Sequence, residues 1–106
     1  MGKFKVKGVK KKPKIGKKVE KDGSKLSVYL TITNPANAIL KNVFVTDTLP
    51  KDAGDFRVLT SGLPYERIDN QVVWKMESVK QKDKRVIYYQ ITSKEKLPAA
   101  VLEWDA

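Results

Sequence analysis

Leu26-Ser27-Val28-Tyr29-Leu30-Thr31-Ile32-Thr33-Asn34-Pro35 and, eight residues on, Val43-Phe44-Val45-Thr46-Asp47-Thr48-Leu49-Pro50 are two alternating runs, each stopped by polar residues and a proline. Period-two alternation with β-branched residues is the pattern of a half-buried strand, and the proline cannot continue a ladder. In the first run Leu26, Val28, Leu30 and Ile32 share one face, with Ser27, Tyr29, Thr31 and Thr33 on the other. In the second, Val43 and Val45 oppose Phe44 and Thr46, and Asp47 reads as the start of the terminating turn.

The same reading extends in both directions. Residues 3–9 alternate lysine with Phe4 and Val6, Pro13 and Gly16 break the chain, and a short strand follows over 17–20. Asp22-Gly23-Ser24 predicts a tight turn, since Asp-Gly supplies positive φ and a local side-chain hydrogen bond. Downstream, a weaker strand over 55–60, a hairpin turn at Asp69-Asn70, an inward row Val72, Trp74, Met76, a turn over 80–83, an inward row Ile87, Tyr89, Ile91 and a closing strand over 99–104 complete the pattern. No segment has sustained helical periodicity. The expectation is one all-β domain over residues 1–106, an immunoglobulin-like antiparallel β-sandwich of seven to eight strands, with a closed barrel as the competing architecture. Residues 1–18 form its lysine-rich first strand or arm and 19–106 its body.

Val19, Asp22-Gly23, the run Val28 to Asn34, the run Leu40-Lys41-Asn42-Val43-Phe44-Val45-Thr46-Asp47-Thr48-Leu49-Pro50 and Asn70-Gln71-Val72-Val73-Trp74 follow one another in an order that resembles the repeat domain named domain of unknown function eleven. The resemblance spans about residues 19–91 and is sharpest in the Asn42 to Pro50 string. It implies an immunoglobulin-like module of a bacterial or archaeal cell-surface protein, acting as a stalk, spacer or adhesive unit beside neighbouring modules. It implies no catalytic residue. The lysine-rich start and the Asn34-Pro35 turn depart from the usual pattern.

Charge is unevenly distributed. Of the net +10, nearly all lies in residues 1–25, where eleven lysines face only Glu20 and Asp22; the remainder has 11 basic and 10 acidic residues. Lys10, Lys11, Lys12, Lys14, Lys17 and Lys18 are thus the candidate anion-binding set, for nucleic acid or an anionic membrane face through counterion release. The favoured reading of this cluster is a solvated edge that resists aggregation. Nucleic acid is not favoured, because the arm contains one aromatic residue and no arginine.

The chain has neither cysteine nor histidine, which removes disulfides, thiolate nucleophiles and the usual metal and acid–base ligands. No cofactor and no enzyme activity are expected. Asp47, Asp52 and Asp55 are the weak calcium candidates, being oxygen ligands around one loop. Lys41 or Lys75 with Asn42 or Asn70 is the pairing for an intramolecular isopeptide bond, which requires burial between sheets. Trp74 reads as core, and Tyr65 and Tyr88 as exposed aromatics. With no run near 20 apolar residues and no apolar leader, neither a membrane helix nor a signal peptide is expected. The location follows as cell surface or extracellular within a larger protein, and cytoplasmic if the chain is the complete gene product.

Overall fold

The computed structural model describes residues 12–60 and 62–105. They form eight strands: β1 Lys14–Asp22, β2 Lys25–Thr33, β3 Leu40–Thr48, β4 Gly54–Val58, β5 Tyr65–Ile68, β6 Gln71–Val79, β7 Lys84–Thr92 and β8 Val101–Asp105. Two four-stranded antiparallel sheets result, ordered β1-β2-β7-β4 and β5-β6-β3-β8, so the architecture is a sandwich. The alternating strand expected over residues 3–9 lies outside the described residues. Among the described residues no helix is long and apolar enough to cross a membrane.

The alternation sets the core. Leu26, Val28, Leu30 and Ile32 of β2 and Ile87, Tyr89 and Ile91 of β7 face Val43 and Val45 of β3 and Val72, Trp74 and Met76 of β6, all buried. Each such large side chain contributes about 1.5–3 kcal/mol relative to exposure. Trp74 lies against Tyr89 with ring centroids 5.6 Å apart, and Phe56 packs on Tyr89 at 5.7 Å.

Three elements differ from expectation. β1 runs from Lys14 to Asp22 and pairs along the whole of β2, so Gly16 lies within the strand and a boundary at residue 18 falls inside it. β3 continues through Asp47 to Thr48, because both residues still pair with β6. β5 has all four residues exposed and no hydropathy alternation; its ladder with β6 defines it.

Both sheets are sealed at their ends by polar residues. Asn34, buried between β2 and β3, donates from Nδ2 to the carbonyls of Ala38 (2.9 Å), Val79 (3.1 Å) and Lys80 (3.1 Å), and its backbone N–H donates to Asp83 at 3.0 Å. At the opposite end the Ser93 hydroxyl donates to Asp52 at 2.5 Å and the Ser93 N–H to the Ser24 carbonyl at 2.9 Å.

The registers also fix where the strands start and stop. Lys14 of β1 pairs with Thr33, the last residue of β2, while Asp105 of β8 pairs with Lys41 near the start of β3. Residues 34–39 join those ends of β2 and β3. β1 therefore begins and β8 finishes at the same end of the sandwich.

Candidate functional site

Among the described residues, polar side chains of the strands are either held inside the sandwich or displayed on its sheet faces. Inside, β1 places Ile15, Lys17, Val19 and Lys21 in register with Ile32, Leu30, Val28 and Leu26, the buried row of β2. Lys17 accordingly points between the sheets, its side chain 11% exposed. From the facing sheet Asp47 continues the inward row of Val43 and Val45 and is fully buried. Lys17 Nζ donates to Asp47 Oδ1 at 2.7 Å and to the Pro98 carbonyl at 2.6 Å. The Tyr89 hydroxyl of β7 donates a short hydrogen bond to Asp47 Oδ2. Burial first, and the Asp47 charge second, push the Tyr89 phenol well above its ordinary value, which keeps it a donor. One buried carboxylate is thus received by two donors of the opposite sheet, one on each oxygen.

This places the candidate residues. Lys10 and Lys11 lie outside the described residues. Lys12, Lys14 and Lys18 are exposed, whereas Lys17 belongs to the core network and is unavailable to an external anion. Asp47 is committed to Lys17 and Tyr89, and Asp52 accepts from the Ser93 hydroxyl and from the Lys94 N–H at 2.8 Å. Those two donors, Lys94 first, hold the Asp52 carboxyl below its ordinary value of 3.8. Asp55 is exposed at a β4 irregularity with φ 50°. Among the described residues no group of three or more acidic side chains is placed to hold a metal ion. Lys41, Asn42, Asn70 and Lys75 are all exposed, so the burial an isopeptide bond needs is missing at that pairing.

The outer face of the β1-β2-β7-β4 sheet has a feature that the alternation alone did not reveal. Tyr29 and Tyr88 are direct cross-strand partners, and their rings stack at 4.5 Å between centroids and 12° between planes. Tyr88, expected as an exposed aromatic, is therefore half-buried against its partner, whereas Tyr65 is 47% exposed. Gln90 Nε2 donates to the Tyr88 hydroxyl at 3.0 Å and to Ser27 at 3.2 Å, and Tyr29 donates to Glu20 at 3.3 Å. Hydrogen bonding to Tyr88, burial and the nearby Glu20 push the Tyr29 phenol up to about 12. The Tyr88 phenol is lowered instead, by hydrogen bonds from Ser27 and Tyr29. Beside the pair, β4 slips register between Gly54 and Arg57, and a depression of about 240 Å³ opens between Lys25, Asp55, Arg57, Gln90 and Thr92. Bulges commonly re-aim side chains at a sheet edge in this way.

No protein-family model matches the chain, and no curated protein matches it significantly. Solved structures do share its fold. A yeast delta-COP-I mu-homology domain superposes with TM-score 0.65 at 11% identity, over 87% of this chain and 39% of that one. A chitin-binding domain from Streptomyces coelicolor gives 0.57 at 10% identity, over 85% of this chain and 87% of that one. An archaeal chitinase gives 0.58 at 15% identity, over 90% of this chain and 21% of that one. The chain thus spans well under half of the mu-homology and chitinase chains. Likeness at these identities is a likeness of fold.

Proposed function

We propose that this chain is a non-enzymatic interaction module, one immunoglobulin-like unit of a larger cell-surface or membrane-anchored protein. The observation that carries the reading is the contrast between its interior and its faces. Lys17, Asp47, Tyr89, Asp52 and Ser93, the residues with the most chemistry to offer, are hydrogen-bonded within the fold. The outer face of the β5-β6-β3-β8 sheet meanwhile exposes Phe44 (37%), Val101 (56%) and Ile68 (61%), suited to packing against a neighbouring module.

Its role would be mechanical spacing and the presentation of loops and sheet faces to neighbouring modules. The chitin-binding domain, a small module matched over 87% of its own chain, supports an interaction role.

Protease treatment of intact cells tests the location, read with an antibody against this module. Loss of the signal from whole cells, with a cytosolic marker intact, is the expected result. Protection until the cells are lysed would contradict it.

A further inference from the structure

We propose that the outer face of the β1-β2-β7-β4 sheet, centred on Tyr29 and Tyr88, binds an acidic polysaccharide. The inference deepens the interaction-module reading and rests on it.

The register places five cations of this sheet on that face. Lys14 and Lys84 flank Thr33, Lys18 lies across Tyr29, Lys25 pairs with Thr92, and Arg57 pairs with Gln90. Among the described strand residues of that face the acidic ones are Glu20, Asp22 and Asp55, and Glu20 lies 3.7 Å from the Lys18 ammonium. Lys14 and Lys18 are four residues apart on one strand, about 13 Å at ~3.3 Å per residue, so one extended polyanion can reach both.

The polar groups between these cations suit sugar hydroxyls. Ser27, Thr31 and Thr92 lie in the same outward rows as the two phenols, and Gln90 is already oriented by Tyr88 and Ser27. In the depression, whose Gln90 is hydrogen-bonded to Tyr88, Arg57 and Lys25 can hold a ring carboxylate through charge-assisted hydrogen bonds while Asp55 accepts from hydroxyls.

Nucleic acid fits this face less well. Single-stranded binding relies on open aromatic faces for base stacking. Here the two rings lie 4.5 Å apart and nearly parallel, so their inner faces are taken by each other.

The test is fluorescence anisotropy of the full chain with labelled polygalacturonate fragments, neutral chitin oligomers and single-stranded DNA, at low and physiological salt. The K25Q/R57Q double variant and K75Q, a charge change on the other sheet, are the comparisons. All three side chains are exposed, and circular dichroism confirms folding. Polygalacturonate binding that persists at physiological salt, weakens about tenfold in K25Q/R57Q and stays within about twofold in K75Q is expected. Absence of binding, equal loss in K75Q, equal affinity for chitin oligomers or tighter binding of DNA each overturns the proposal. The cell-surface experiment is read independently, so failure here leaves the module's location standing.

Discussion

Asp47 of β3 sits 2.7 Å from the Lys17 ammonium of β1, across the interior of the sandwich, with the Tyr89 hydroxyl on its other oxygen. The Asn42 to Pro50 string, the sharpest part of the sequence resemblance, therefore contains a carboxylate that joins the two sheets. A buried ion pair of this kind adds little compared with an apolar filling, but it cannot lose one member cheaply.

Tyr89→Phe separates the hydrogen bond from the packing. The ring still fills its place against Trp74 and Phe56, but Asp47 Oδ2 loses its donor in a dry core. A loss of about 1–3 kcal/mol in urea unfolding is expected. The alkaline limb changes too. A phenol raised on folding contributes stability that is complete below the ordinary value of 10.0 and is lost as pH rises toward the folded value. From pH 10.0 upward, the native protein should lose stability more steeply than Tyr89→Phe.

Asn34→Ala removes the donor shared by the Ala38, Val79 and Lys80 carbonyls, where β2 crosses to the other sheet. We expect a loss of about 2–4 kcal/mol, from several under-satisfied acceptors at once. Asn34→Asp should not restore it, since a carboxylate cannot donate. Chemical denaturation of both variants checks this; a fully stable Asn34→Asp would refute the capping role.

Asp52 governs part of the acid limb. Its carboxyl is lowered by the Lys94 N–H and the Ser93 hydroxyl, so its contribution is present above the ordinary value of 3.8 and disappears as pH falls through the folded value. Asp52→Asn should be less stable than the native protein at pH 7, with the gap closing as pH drops below 3.8. Unfolding midpoints measured across that range show whether it does.

The inner rows of β2, β3, β6 and β7 were legible because their apolar residues alternate with polar ones, and Trp74 was placed in the core by its phase with Val72 and Met76. β1 is less legible because lysines occupy both of its faces: Lys14 and Lys18 point out, Lys17 and Lys21 lie in the inward phase. The signal for Lys17 was its position between Ile15 and Val19. For Asp47 it was the phase of Val43 and Val45, masked by the polar-plus-proline end of the run. The Tyr29–Tyr88 pair depends on the alignment of β2 with β7, strands far apart in the chain, which alternation within either strand does not specify. β5 offered no pattern at all, since an exposed edge strand is defined by its neighbour's backbone.

A double-mutant cycle on Lys17→Met and Asp47→Leu, read by urea unfolding, examines the sheet-joining pair directly. Each single variant strands a buried charge and should lose about 3–5 kcal/mol, while the double variant should recover most of that loss and give a coupling energy of ~2 kcal/mol or more. Single losses below ~1 kcal/mol that simply add would mean that Lys17 stands in solvent with the other lysines, and the division between interior and displayed charge would fail.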